Sequence, residues 1–385
     1  MKIEYNISRL KHLLALYKLT VDELITLVSD GLKKPINESD ILSKEIEISY
    51  LKRIDKIFNK GLYYYLDPKS PEISKDASIF FRKDKFDTEL NIGAKQIVNQ
   101  FEDFKISLSA IAKLADLKIE RRIPVYSIND NAKTVAFQIR KELYPTFTSD
   151  KRLFLKELIG IFAKNNILVF EFVETWNKKE KANINGLFLN PNVIVLKRQQ
   201  TSFRREIFTL SHELGHFLLN EEEIERLDYL NLAKDDITIV EKWCNDFAYY
   251  FLAGEYCETI NNIDKADYTN DYHFDIIRNI SNLTHLSQIA IFTKLLFQYK
   301  ISRDDYNNIK NDFDLKYREK KDAEKRQREL DKQSGLKPSG STPKPINSPL
   351  LISTIQTAFY EGVINEYDVC KKLKISPNKL NEFIQ

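Results

Sequence analysis

The stretch Phe208–Asn220, FTLSHELGHFLLN, sets two of the chain's five histidines four positions apart in a segment otherwise rich in apolar residues. Residues i and i+4 share one face of a helix, about 6 Å apart at Cβ, so His212 and His216 can offer ring nitrogens to a single metal ion. Glu213, one step round the helix, is placed to touch a water on that metal without binding the metal itself. Leu210, Leu214, Phe217 and Leu218 make an apolar stripe that seats such a helix in a core. Gly215 is out of place there. A glycine inside a helix costs about 1 kcal/mol against alanine, so it points to another backbone or a sheet approaching closely. The competing reading is a buried helix with two incidental histidines. With five histidines in 385 residues, a chance HExxH arises in about one such chain in two hundred, and chance is the weaker account.

A catalytic zinc needs a third protein ligand and one open position. The run Glu221, Glu222, Glu223 reads as a solvated helix end. The next helical segment, IVEKWCNDFAYYFLAG, is the better source. Val240, Trp243, Phe247 and Phe251 form its core stripe, while Glu241, Asn245 and Ala248 line an adjacent face that can pack on the histidine helix. That face delivers Glu241 as ligand, with Asn245 one turn on as a group that could orient a ligand. Asp246, Asp235 and the soft ligand Cys244 rank below Glu241. An oxyanion donor is also required, and His273, Tyr249, Tyr250 and Tyr256 qualify by type alone. His273 and His285 read first as structural residues, since neither sits in a ligand spacing, and His12 as a surface helix residue.

The remainder of the chain divides by composition. Residues 1–75 read as a small helical domain. Leu10, Leu13, Leu14 and Tyr17 recur at helical spacing, Thr20 and Glu23 form a capping box opening a second helix, and Ile46 to Lys60 reads as a third. LALYKLTVDELITL is faintly similar to the first two helices of a repressor-type helix-turn-helix unit, but Gly and Pro follow where a recognition helix belongs. Residues 76–314 read as the catalytic domain, in which helical patterns give way to strands at Ile167–Val173, Gly186–Leu189 and Asn192–Arg198. From 315 to 349 the chain is first charged, then rich in Pro, Ser and Gly, as a helix extension and a linker would be. Residues 350–385 regain order signals: a helix to Tyr360, another opened by Asn365, and Ser376-Pro377 as a cap. The fold class expected is α+β, mainly helical with a small sheet, flanked by small helical units.

Charge excludes little, since 59 basic residues face 56 acidic ones and an even balance gives no argument for nucleic acid. Three widely spaced cysteines form neither a disulfide framework nor a metal knuckle. No window approaches twenty apolar residues and MKIEYNISRLKHLL lacks a signal-peptide core, so the expectation is a cytoplasmic protein without a membrane partner.

FRREIFTLSHELGHFLLN followed by EKWCNDFAYYFL resembles the ImmA/IrrE family of metallopeptidases. Arg205, Phe208, Thr209, His212, Glu213 and His216 match its first motif, and Glu241, Asn245, Phe247 and Ala248 its second. The similarity is specific over about 127–254 and looser to about 302. It implies a zincin-like core, zinc held by His212, His216 and Glu241, and Glu213 as general base. It further implies a protein substrate, a regulatory and repressor-like DNA-binding protein. Ala253-Gly254 departs from the Met-Pro pair that commonly closes the second helix in this family, and the N-terminal DNA-binding domain is less distinct. FFRKDKF and TAFYEGVINEYDVCKKLKIS are weakly similar to flanking segments of longer members. The alternative reading is a DNA-binding or stress-response regulator, or an antitoxin-like binding protein, with a structural or sensory zinc.

Overall fold

The protein was analysed as a computed structural model, which describes residues 1–17, 19–58, 60–71, 90–174, 181–198, 202–222, 224–226, 238–335 and 344–384. It divides into two units, Met1–Ser109 with Lys178–Ile184, and Ala110–Asn177 with Asn185–Gln385. The segment FFRKDKF and Asp235 lie outside the described residues.

In the first unit, β1 (Lys2–Glu4) leads into α1 (Ile7–Tyr17), α2 (Val21–Ser29) and the four-residue α3 (Glu38–Ile41). β2 (Glu45–Glu47), α4 (Ile48–Phe58), α5 (Leu62–Leu66) and α6 (Ile92–Leu114), the last counted in this unit as far as Ser109, follow. The capping box opening α2 forms as the sequence predicts. The Glu23 amide donates to Thr20 Oγ1 at 3.2 Å and the Thr20 amide to Glu23 Oε2 at 2.8 Å. The run from Ile46 does not begin as a helix. Lys2, Ile3 and Glu4 pair antiparallel with Glu47, Ile46 and Glu45, so Ile46 is buried as a strand residue and the helix starts at Ile48. Leu10, Leu14, Leu24, Ile41, Leu51 and Ile54 join it in this unit's core. After α2 the chain makes only α3, which carries Glu38 and Asp40.

The second unit holds α7 (Ala132–Leu143), α8 (Lys151–Lys164), β3 (Leu168–Phe172), β4 (Ile184–Leu189), β5 (Val193–Lys197), α9 (Phe203–Leu219), β6 (Ile224–Arg226) and α10 (Ile239–Ala253). It continues through α11 (Tyr256–Asn261), α12 (Phe274–Thr284), α13 (Gln288–Phe297) and α14 (Arg303–Gln333). α15 (Pro349–Tyr360), α16 (Glu366–Leu373) and α17 (Asn381–Ile384) close it. The architecture is α+β and mainly helical. The sheet order is β3-β5-β4-β6, with β3 and β5 parallel and β4 and β5 antiparallel.

Strand alternation puts Val169, Ile194, Leu196 and Phe188 on the face turned to the helices, where they join Leu210, Leu214, Phe217, Phe247 and Phe251 in one core. α9 packs on β5, α8 and α10, and α10 also packs on α7. A helix covered on so many sides is buried all round, so His212, Glu213, Thr209 and Ser211 are as inaccessible as the leucine stripe. Gly215 explains how close α10 comes. A Cβ there would lie 3.1 Å from the Cα, Cβ and Sγ of Cys244 on α10. The expected close neighbour is therefore a helix rather than the sheet.

Arg198 follows β5 and is wholly buried. Its guanidinium pairs with Glu171 of β3 and, through Nε at 2.9 Å, with Glu206 of α9. Burial alone would pull the guanidinium's pKa down, but the two carboxylates outweigh it and hold it above its usual value. Glu171 also accepts the amides of Ile346 and Asn347, at 3.0 and 2.7 Å. Residues 344–348 are thereby strapped to β3, and α15 packs on α8 and β3 with Leu351 and Ile355 buried. Of the stretch 315–349, residues to Gln333 continue α14 as an exposed charged helix, and 336–343 fall outside the described residues.

His285 is structural. Its ring lies 4.2 Å from that of Phe154 and 4.9 Å from that of Phe147. Burial, then the charges of Lys151 and Arg204, pull its pKa down to about 4 against an opposing hydrogen bond with the Thr148 backbone. The unfolded chain therefore binds a proton near pH 6.5 that the folded chain refuses until about pH 4. Stability should fall as pH drops through that window, by about 1–2 kcal/mol after allowance for screening by solvent. Urea unfolding at pH 7 and pH 4.5 should show this loss in the wild type and a smaller one in His285→Phe.

Candidate metal centre

α9 is fixed at both ends. Ser202 caps its start, its Oγ accepting the Arg205 amide at 3.3 Å. At its end Asn220 takes the left-handed conformation, φ 56° and ψ 34°, which asparagine tolerates and which turns the chain back on itself. The turn brings the Glu221 carbonyl to His216 Nδ1 at 3.1 Å. That ring nitrogen then carries the proton, and the Nε2 lone pair faces into the protein. Arg121 covers the same end, its guanidinium 3.9 Å from the centre of the Phe217 ring and within 3.4 Å of the Leu218 carbonyl and Asn220 Oδ1.

α10 brings the third group. Thr238 caps it by accepting the Glu241 amide at 3.1 Å, and the Glu241 carboxylate turns towards α9. Glu241 Oε2 lies 3.2 Å from His212 Nε2 and Oε1 lies 3.3 Å from His216 Nε2, while the two Nε2 atoms are 3.1 Å apart. For bonds of about 2.05 Å to one tetrahedral zinc, ligand atoms stand about 3.3 Å apart. The three edges fit that spacing, and two imidazoles with one carboxylate are a zinc-type donor set. Both histidines are fully buried and the Glu241 side chain is 17% exposed. Burial alone would raise the Glu241 carboxyl, but the charge of His212 and hydrogen bonds to both rings outweigh it and hold the carboxyl far below the usual carboxylate range. Among the described residues, His212, His216 and Glu241 are the group of three that could hold a metal ion.

Glu213, next to His212 on α9, is fully buried. Asn245, half-buried one turn after Glu241, makes no hydrogen bond to the three ligands among the described residues. The residue found to hold a ligand is instead Glu221, through its backbone, which no side-chain pattern announces. Glu222 also departs from the solvated helix end expected. It is buried and accepts the Asn190 amide at 2.8 Å, tying the end of α9 to the β4–β5 turn. Asp246 is drawn off to Lys294 at 3.3 Å, and Cys244 packs against Gly215. The rings of Tyr249 and Tyr250 each lie 4.8 Å from Lys294 Nζ, and no described contact brings them, Tyr256 or His273 to the three ligands.

No match was found among curated proteins or solved structures. Residues 164–253, which run from the end of α8 to the end of α10, match the family model of the IrrE N-terminal-like domain. The matched span contains β3, β4, β5, α9, β6 and α10. Among the described residues no helix is long and apolar enough to cross a membrane. The motifs and the buried His-His-Glu cluster fall within this match or at its edges, so an IrrE N-terminal-like domain is identified over residues 164–253.

Proposed function

We propose that this chain is a zinc-dependent endopeptidase that cuts a regulatory protein of the DNA-binding repressor type. The observation that carries the reading is the triangle of ligand atoms, with the buried Glu213 next in the chain to His212; a purely structural zinc has no use for that carboxylate. Zinc held by His212, His216 and Glu241 would supply Lewis acidity and a bound water of lowered pKa.

The chain's own residues do the rest. The Glu221 carbonyl holds the His216 ring in the tautomer that leaves Nε2 free to bind. Glu241 brings one negative charge to the pair of imidazoles, so a dication held there would keep a net positive charge and could polarise a carbonyl. Glu213 takes a proton at a carboxylate oxygen and passes it to the amide nitrogen that departs. The core around α9 excludes bulk water from the far side of these groups, which strengthens each charge interaction within.

The test joins metal content to cleavage. Purified wild type should hold one zinc per chain, and a His212→Ala, His216→Ala double variant should hold none under the same dialysis. New protein N-termini should then be compared in cells producing either protein, in growth and after DNA damage. A small set of cut sites seen only with the wild type supports the peptidase and names its substrate. Identical profiles with a zinc-loaded wild type overturn it and favour a regulator whose metal is structural.

A further inference from the structure

The strand β4 faces α9 through Gly186 and Phe188, which stand opposite Leu196 and Ile194 of β5. Phe188 is a large core side chain; Gly186, two residues before it, is none. The reason lies across the interface. A Cβ at Gly186 would sit 2.7 Å from Thr209 Cγ2, 2.9 Å from Glu213 Cγ and 2.9 Å from Glu213 Oε1. Any side chain at 186 would run into the carboxylate, so only a bare backbone leaves it room. None of these three nearest atoms belongs to His212, His216 or Glu241.

We propose that Gly186 is a positioning residue for Glu213: the bare strand backbone sets where the carboxylate rests and so keeps it beside the metal triangle. The catalytic consequence rests on the peptidase reading; the placement does not. Thr209 is one turn before Glu213 on the same face of α9, fully buried, and cannot swing away. Glu213 is as fully buried, but its side chain has more rotatable bonds than that of Thr209, so its carboxylate end is the part that yields. Restoring ordinary contact at 3.4 Å requires a shift of about 0.5 Å or more, and misplacing a reacting group by about 1 Å can cost 10²-fold in rate.

The experiment is a pair of crystal structures, zinc-loaded wild type and zinc-loaded Gly186→Ala, with kinetics on both. Gly186→Ala should superpose on the wild type at His212, His216 and Glu241, bind zinc with unchanged affinity, and show the Glu213 carboxylate displaced. Turnover should fall about tenfold or more at unchanged KM. In a Glu213→Gln background the same substitution should change turnover by less than about threefold, because its effect runs through the carboxylate. An unmoved carboxylate, a loss of zinc affinity, or a full additive loss in the Gln background overturns the proposal. Should Gly186→Ala fail to fold, adding Thr209→Ser removes the 2.7 Å methyl contact and keeps both contacts to Glu213, and the same structural comparison decides. If the wild type cleaves nothing, the peptidase reading falls alone, since the crystal structures still report the carboxylate's position.

Discussion

Glu213→Gln protein is expected to bind zinc as the wild type does and to cleave its substrate about 10²–10⁴-fold more slowly. Glutamine has the shape of the carboxylate and so keeps the packing against Gly186 and Thr209. It lacks the basic oxygen. Because the group that could hold the metal is His212, His216 and Glu241, metal content should not follow activity down. The range corresponds to about 3–5 kcal/mol of barrier, what a well-placed general base contributes. Steady-state kinetics with zinc measured on the same samples checks it, and the loss should fall on kcat with KM little changed. Turnover within about threefold of the wild type would move the base elsewhere.

Arg198→Ala should lower the unfolding free energy by about 3–5 kcal/mol, the usual result of removing one partner from a buried ion pair. The guanidinium stands between Glu171 and Glu206, all three side chains being at most 5% exposed. Its loss leaves two carboxylates in the core with one fewer positive charge than before. The Ile346 and Asn347 amides remain on Glu171, while Glu206, on the helix that carries the histidines, loses its bond from the guanidinium Nε. Glu206→Gln, which keeps the guanidinium paired with Glu171, should cost about 1–3 kcal/mol. Denaturant unfolding of the three proteins gives the comparison; equal stability of Arg198→Ala and wild type would mean that the trio contributes nothing net.

What could be read from the sequence was local. The spacing of His212 and His216 puts them on one helix face, and the apolar stripes of α9 and α10 bring Glu241 opposite them. The caps at Thr20 and Asn365 involve residues three apart in the chain and form where the pattern puts them, whereas Ser376 makes no side-chain cap and Pro377 opens only a three-residue turn. The strands announced themselves as short apolar runs. What was hidden depends on contacts between distant residues. β2 exists because Lys2–Glu4 comes to pair with it, and nothing near Ile46 says so. Glu222 looked solvated within a run of glutamates, but the Asn190 amide, 32 residues earlier, draws it inward. Glu171 did leave a signal: it stands in an apolar strand at the same parity as Val169, so it faces the core, and a buried carboxylate requires a cation and donors. Arg198 and the strap supply them, from 27 and 175 positions away.

That last separation has a bearing on how the protein is made. β3, β5 and α9 leave the ribosome long before the two amides that complete the Glu171 shell, which lie 175 and 176 residues after it. From the end of α9 at Leu219 to Ile346 is 127 residues, about 6–25 s at about 5–20 residues per second. Through that time the helix bearing both histidines is tied, by way of Arg198, to a carboxylate still short of its donors. The fold around the candidate metal centre therefore reaches its final hydrogen bonding late in synthesis, and a nascent chain stalled before Ile346 is held to a less settled histidine helix than the released protein.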